Sequence, residues 1–161
     1  GVEDDNRAIG AFRAAGPRRI FMKLHVIARG KIGRSPEADL VERYARRISW
    51  PLTLTELPEK GGTIPEPQAP FRTVLLDERG RQLGSAELAE LLGRWRDDGI
   101  RETRFLIGAA DGHAAAERDG ADLLLAFGAA TWPHLLARAM LLEQLFRATS
   151  ILAGHPYHRA G

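Results

Sequence analysis

The chain has 161 residues, a size typical of one globular domain, and its formal net charge at pH 7 is +2. It contains no cysteine, which excludes disulfides and thiolate metal sites. No apolar run reaches the roughly 18 residues that span a bilayer, and no secretory leader is recognised, so we expect a cytoplasmic protein without a membrane segment. So small a net charge does not suit a protein that coats DNA, and an RNA partner would need a local basic patch.

Residues 1–21 differ from the rest of the chain, because they contain no strand pattern and at most one short helix. Met22, followed by KLHVIARGK, is expected to begin the domain, which then occupies residues 22–161. We interpret residues 1–21 as an N-terminal extension outside that domain. The alternative is a basic arm that touches RNA through three arginines, Arg13, Arg18 and Arg19.

The first strand and helix of the domain have clear local signals. Residues 23–28 alternate between two faces, which predicts a half-buried strand. Ser35, Pro36 and Glu37 supply a helix cap, a first-turn proline and a first-turn acid. The helix is predicted to run to about residue 49. Its buried stripe consists of Leu40, Val41, Tyr44 and Ile48.

Three arginines of this predicted helix fall on the side opposite its apolar stripe: Arg43, Arg46 and Arg47. The plainer interpretation is a solvated helix face. The alternative is a patch that binds RNA phosphates together with Lys31 and Arg34.

Strands and helices alternate along the rest of the chain. Further strands are predicted at residues 52–57, 71–77, 103–107 and 122–127, and further helices at residues 86–97, 114–120 and 133–152. Four prolines and two glycines within residues 58–70 exclude regular structure there. This alternation predicts an α/β fold with a mostly parallel sheet and helices on both faces. Ligands then bind at the carboxyl ends of the strands.

The last predicted helix, residues 133–152, is apolar almost all round and carries three charges, Arg138, Glu143 and Arg147. Such a helix must be covered on more than one side, which favours burial between the chain's own sheet and a second subunit. Glu143 and Arg147 form either a plain surface pair or, if buried, a functional or interfacial pair. His134 alone is more typical of a helix start than of a catalyst.

Four motifs follow one another in the last third of the chain: LIGAADG (residues 106–112), TWPH (131–134), EQLFRA (143–148) and HPYHR (155–159). This ordered set resembles the ribosomal RNA large-subunit methyltransferase H family, part of the SPOUT class of S-adenosylmethionine enzymes. The resemblance covers roughly residues 22–159 and is densest in the final third. Two features depart from the family. Its members usually carry an additional helix where residues 58–70 stand, and Gly, Pro and Glu where Ala109, Ala110 and Asp111 stand here.

The resemblance implies a C-terminal trefoil knot of the SPOUT type, which gathers three strand ends around one pocket. It also implies S-adenosyl-L-methionine as the cofactor. The implied cofactor contacts are Leu76, Gly108, Phe127, Gly128, Ala129, Ala130, Thr131 and Trp132. Read alone, LIGAADG is only a strand-to-helix turn, since it lacks both G-x-G-x-x-G spacing and a P-loop lysine.

The reaction implied by the resemblance is methylation of N3 of a pseudouridine in 23S ribosomal RNA of the assembled ribosome. N3 must lose a proton, so the site needs a base or a cation that stabilises the anion. We expect His158 to act as that base or to orient the substrate. Arg159 and Arg147 would hold phosphate or the anion, and Tyr157 would stack on the flipped base. Glu143, the partner of Arg147, completes the candidate catalytic set.

Other interpretations stay open at this point. The chain could keep the fold and bind the ribosome without catalysis, and measured cofactor binding would separate the two possibilities. An unrelated α/β nucleotide-binding protein would leave HPYHR unexplained. We expect no metal site, because His155 and His158 lie in a proline-containing tail without an acidic or cysteine partner nearby.

Overall fold

The structure, a computed structural model, describes residues 22–108 and 115–154. Its strands are β1 (Lys23–Arg29), β2 (Leu52–Leu57), β3 (Phe71–Gln82), β4 (Glu102–Ile107) and β5 (Leu123–Ala126). Its helices are α1 (Pro36–Arg47), α2 (Ser85–Asp97), α3 (Ala115–Asp119) and α4 (His134–Leu152). Every predicted element is present, and only β3 departs from its predicted ends by more than two residues.

The five strands form one sheet in the order β2-β1-β4-β3-β5, and each described pair of neighbours is parallel. The predicted parallel sheet with helices is therefore confirmed. β4 lies at its centre and is buried at every position. Because the strands run in one direction, their carboxyl ends lie at one edge, which we call the carboxyl edge.

One face of the sheet, the first face, carries the main hydrophobic core. α4 contacts both α1 and α2, and all three helices contribute to this core. Phe105 of β4 and Leu141, Leu142 and Leu145 of α4 have no exposed surface. The predicted stripe of α1 also packs here, whereas its three arginines are exposed, as the sequence predicts.

On the other face, the second face, lie residues 58–70, which have no regular structure, as predicted. Ile64 packs against a second apolar cluster. The Arg29 guanidinium donates to two carbonyl oxygens at the start of the segment, at 2.7 and 3.0 Å. Near its end, the Gln68 N–H donates to Glu102 Oε1 at 2.9 Å. Hydrogen bonds at both ends thus hold an irregular segment against the sheet. Its cluster comprises Ile27, Leu57, Leu75 and Leu106, with Ala121 and Leu124 beside it.

β3 continues five residues beyond its predicted end at residue 77, so that part of the prediction was wrong. Leu76 and Arg81 both pair with Leu125 of β5, and the chain between them bulges out. Gly80 makes this possible, because a Cβ there would lie 2.5 Å from the carbonyl carbon and oxygen of Leu124. The close approach of the two backbones requires glycine.

Some predictions concern features that the described residues do not test. The extension at residues 1–21 lies outside them, so its separation from the domain stays a prediction. The trefoil knot also stays a prediction. Within residues 22–108 and 115–154, no helix is long and apolar enough to cross a membrane.

Candidate active site

Three of the predicted cofactor contacts lie at the carboxyl edge on adjacent strands. Leu106 of β4 pairs with Leu75 of β3, and Leu76 pairs with Leu125 of β5. Gly108 therefore follows β4, and Phe127 follows β5, on either side of Leu76. Neighbouring strands are about 4.8 Å apart, so parallel pairing alone brings these positions together.

The β5–α4 loop (residues 127–132) holds the remaining predicted contacts in a defined shape. Gly128 turns the backbone at a φ of 85°, which favours glycine. At the far end, Trp132 Nε1 donates to the Phe127 carbonyl oxygen at 2.8 Å and closes the loop. Ala129 and Ala130, between these points, are exposed and have small side chains. The backbone of this loop is therefore accessible to a ligand.

An acidic bulge of β3 supports the same loop. Thr131 Oγ1 donates to Glu78 Oε1 at 2.7 Å, and Asp77 Oδ1 accepts from the Arg79 N–H at 2.8 Å. Burial alone would raise the pKa of Asp77, but the hydrogen bonds and charge of Arg79 outweigh it and leave the pKa lowered. Asp77 is therefore a carboxylate at neutral pH and forms an ion pair with Arg79, so Glu78 supplies the negative charge beside the loop.

An ion pair between the buried Arg138 and Glu56, which is 39% exposed, links the second turn of α4 to β2, and sequence reasoning missed it. Arg138 is 5% exposed, and its guanidinium donates to Glu56 Oε2 of β2 and, at 3.1 Å, to the Gly30 carbonyl oxygen. The same Glu56 oxygen accepts the Ile32 N–H at 2.9 Å. Burial alone would raise the pKa of Glu56, but these hydrogen bonds and the charges of Arg138 and Lys31 leave it lowered. The sequence signal that could have revealed this ion pair is Arg138 itself, a charged residue in a nearly apolar helix.

His134 begins α4 and is half-buried, as expected of a histidine at a helix start. A Cβ built on Gly30 would lie 3.5 Å from His134 Nε2, so the imidazole stands close to the turn after β1. The first two turns of α4 thus contact the end of β1 through both His134 and Arg138.

Glu143 and Arg147 form a half-buried ion pair on α4. Arg147 Nη2 and Nε donate to Glu143 Oε2 at 2.7 and 3.1 Å, and Gln144 donates to the other carboxylate oxygen at 2.7 Å. The pair lies nine and thirteen residues beyond His134. At a rise of 1.5 Å per residue, that is about 14 and 20 Å along the helix. Within one chain, the structure does not bring these two predicted catalytic residues to the β5–α4 loop.

The other predicted catalytic residues, Tyr157, His158 and Arg159, lie outside the described residues, and their roles stay predictions. Their starting point is known, because α4 ends at Leu152 and Gly154 follows with a φ of 74°. Nineteen helical residues span about 28 Å, so Leu152 lies about that far from His134 at the start of α4.

The chain is similar to several known proteins. A solved structure, the SpoU methyltransferase AviRb from Streptomyces viridochromogenes, aligns with a TM-score of 0.47 and 15% identity over 86% of this chain and 62% of that one. A family model described as "Predicted SPOUT methyltransferase" matches residues 22–158.

Curated relatives match more closely. One from Erythrobacter litoralis is 75% identical over 140 residues, and one from Novosphingobium aromaticivorans is 76% identical over 141 residues. Each alignment covers 87% of this chain and 100% of the relative, and both relatives are named ribosomal RNA large subunit methyltransferase H. By this family model and these relatives, the chain belongs to the SPOUT methyltransferases and, among them, to the ribosomal RNA large-subunit methyltransferase H family.

Proposed function

We propose that the protein transfers a methyl group from S-adenosyl-L-methionine to N3 of a pseudouridine in 23S ribosomal RNA. It would act as a homodimer, in the cytoplasm, on the assembled ribosome. The observation that carries this proposal is the end-to-end match to relatives named as large-subunit ribosomal RNA methyltransferases. The geometry of the carboxyl edge supports it independently.

The residues at the carboxyl edge fit the cofactor. When bound, S-adenosyl-L-methionine supplies an electrophilic methyl group on a positively charged sulfur. The β5–α4 loop offers accessible backbone donors and acceptors for the adenosine. Leu76 lies on the neighbouring strand β3, and Gly108 follows β4, the strand beyond it. Glu78 places a carboxylate beside the loop, which suits a cationic ligand, whereas Asp77 is paired with Arg79.

The shape of α4 supports a dimer. No residue of α4 is fully exposed, yet Leu136, Met140, Glu143 and Arg147 stay half-exposed at helical spacing. These four residues, which we call the α4 strip, recur at intervals of four, three and four positions along one side of the helix. Two copies of α4 packed antiparallel about a two-fold axis would cover the strip. They would also carry the tail of each chain towards the carboxyl edge of the other.

This arrangement gives the predicted catalytic residues a route to the substrate. The uracil ring must lose the N3 proton, which His158 would accept, and the resulting anion needs a cation nearby. Arg159 and the half-buried Arg147 would supply that charge across the dimer, with Glu143 orienting Arg147. Tyr157 would stack on the flipped base.

Removal of residues 157–161 tests this proposal. We expect cofactor affinity and the dimer to be retained, whereas single-turnover transfer at saturating cofactor falls by about 10² or more, the scale of a lost base or charge stabiliser. Removal of residues 160–161 alone is the control and should leave the rate unchanged. Equal rates for the two truncations would refute the roles assigned to the tail.

The alternative is a ribosome-binding protein without catalysis, prompted by the short segment at residues 58–70. The relatives argue against that reading, because their 140 and 141 residues align over their full length with this chain and still bear the enzyme's name. Calorimetry with S-adenosyl-L-methionine separates the two functions. We expect micromolar affinity, about 8 kcal/mol, and the absence of binding would favour the alternative.

A further inference from the structure

Two exposed cations stand at the carboxyl edge beside the candidate cofactor site. Lys31 and Arg34 lie in the β1–α1 loop (residues 30–35), and both are exposed. Within the part of the chain that the structure describes, neither forms a hydrogen bond or an ion pair. Lys31 acts on Glu56 only through its charge, without a direct ion pair, and both exposed cations can reach an anionic partner.

Hydrogen bonds at Gly30, Ile32 and Ser35 hold the backbone of the loop that carries these two cations. The Gly30 N–H donates to the Leu57 carbonyl oxygen at 2.8 Å, while Arg138 binds the Gly30 carbonyl oxygen. The Ile32 N–H is bound by Glu56, which Arg138 also holds. At the far end, Ser35 Oγ accepts the Ala38 N–H and caps α1. This loop is fixed by its contacts, so a ligand would not have to order its backbone on binding.

The loop is also adjacent to the candidate cofactor site. β1 neighbours β4, and Ala28 pairs with Ile107, the residue before Gly108. Arg138, which binds the Gly30 carbonyl oxygen of this loop, lies in the second turn of α4, the helix that follows the β5–α4 loop in the chain. Anything that binds Lys31 and Arg34 therefore lies next to the pocket, on its β1 side.

We propose that Lys31 and Arg34 bind phosphates of the RNA strand that flanks the methylated nucleotide, and that the Arg138–Glu56 ion pair positions them. A net charge of +2 gives little general attraction for RNA, so affinity has to come from a local group of cations. Phosphates suit this pair chemically, since lysine offers a compact charge and arginine a planar fork of donors. This inference rests on the proposed function, because it requires an RNA substrate.

α1 provides a matched control. Arg46 and Arg47 are exposed and lie in the last turn of the helix that begins beside Arg34. Ten or eleven helical residues separate them from Pro36, which is about 15 Å towards the opposite edge of the sheet. The variants Lys31→Gln/Arg34→Gln and Arg46→Gln/Arg47→Gln therefore remove the same charge from opposite ends of one helix.

The test measures methyl transfer to ribosomes that lack the modification, at saturating S-adenosyl-L-methionine and several salt concentrations. For Lys31→Gln/Arg34→Gln we expect KM for ribosomes to rise about tenfold or more, with kcat and cofactor affinity nearly unchanged. The slope of log affinity against log salt should fall by about 1.5, the value for two lost phosphate contacts. The control variant should stay within twofold of the wild type. Equal changes in the two variants, or no change in either, would overturn the inference.

Glu56→Gln tests the positioning role. It removes the charge that holds Arg138 but leaves an oxygen to accept the Ile32 N–H, so we expect KM for ribosomes to rise without a loss of cofactor affinity. A purely structural role would lower the free energy of unfolding and leave KM unchanged in folded protein. If the wild type methylates ribosomes and Lys31→Gln/Arg34→Gln has the same KM for ribosomes as the wild type, this inference is refuted and the proposed function is not. A wild type that binds no cofactor and transfers no methyl group refutes the proposed function as well.

Discussion

The indole of Trp132 is 41% exposed, yet its N–H bonds the Phe127 carbonyl oxygen at the opposite end of the β5–α4 loop. Trp132→Phe keeps an aromatic ring and removes that donor, so the loop loses about 0.5–1.5 kcal/mol of hydrogen bonding. We expect cofactor affinity in calorimetry to fall about three- to tenfold, and the free energy of unfolding to fall by no more than about 1.5 kcal/mol. Trp95→Phe on α2 is the control, and an equal effect there would show that the loop closure is irrelevant.

A group of buried ionisable residues lies on the second face, at the amino ends of the central strands. His25 Nε2 lies 2.7 Å from Thr55 Oγ1, and His25 Nδ1 lies 3.4 Å from Glu102 Oε2. Arg104 Nε donates to the same Glu102 oxygen at 3.0 Å. Burial lowers the pKa of His25, and Glu102 only partly opposes this. Burial would raise the pKa of Glu102, but the Gln68 N–H and Arg104 leave it lowered.

Both pKa shifts cause the free energy of unfolding to fall on acidification. The shift of His25 acts at a higher pH than that of Glu102. A histidine with a lowered pKa takes up its proton more readily in the unfolded chain, so stability falls as pH drops below about 6.5. The stabilising contribution of Glu102 is present above its unfolded pKa of about 4.5 and is lost as pH falls through its lower folded pKa.

His25→Gln should therefore remove the loss of stability that His25 causes below about pH 6.5, because glutamine can bond Thr55 and does not titrate. We expect the wild type to lose more unfolding free energy between pH 7.5 and pH 5.5 than the variant does, as measured by urea denaturation. The same loss in both proteins would assign the effect to another group.

At the scale of single elements, β3 depends on Gly80. A Cβ there would meet the backbone of Leu124 at 2.5 Å and that of Leu125 at 2.7 Å, and neither can move like a side chain. We expect Gly80→Ala to cost about 1–3 kcal/mol of unfolding free energy, the cost of overpacking. Cofactor affinity should fall too, because the displaced bulge carries Glu78, which holds Thr131. Urea denaturation and calorimetry measure the two effects.

Gly84→Ala is the control for that prediction. Gly84 has an ordinary φ of −74°, and a Cβ there would meet only Glu87 Oε1, at 3.7 Å. Its cost should stay below about 1 kcal/mol. Similar costs at the two glycines would contradict the close approach of β3 and β5.

The sequence predicted most elements because their signals are local. The cap at Ser35, the alternation in the strands and the prolines of residues 58–70 all act within a few residues. The end of β3 depends instead on contact between Gly80 and a strand more than forty residues later, which no local pattern records. The hydrogen bonds by which Arg29 and Glu102 fix residues 58–70 likewise join residues that are distant in the sequence.

The candidate site likewise has features that the sequence predicts and features that it does not. Leu76, Gly108 and Phe127 could be predicted to meet, since parallel strands place their carboxyl ends together. The Arg138–Glu56 pair joins residues 82 positions apart, and no local sequence pattern around either residue predicts the contact.

For the molecule as a whole, the α4 strip predicts that Met140→Glu breaks the dimer, because antiparallel packing would bury the new charge in the interface. The chain mass is 17.7 kDa, so light scattering at micromolar concentration should give twice that mass, 35.4 kDa, for the wild type and 17.7 kDa for the variant. Leu54→Glu is the control, since Leu54 is 45% exposed on the edge strand β2, and it should stay dimeric. A monomeric wild type would contradict the dimer.

The position of β4 also governs how the chain can fold as it is synthesised. β4 separates β1 from β3 in the sheet, although both precede it in the sequence. The first two strands and β3 therefore cannot be joined until β4 has been synthesised. β4 ends 25 residues after β3, which takes about 1–5 s at 5–20 residues per second. During that interval the inner edges of β1 and β3 have no strand to pair with. Nascent chains of this protein should accordingly depend on chaperones until β4 emerges, and should acquire protease resistance in one late step.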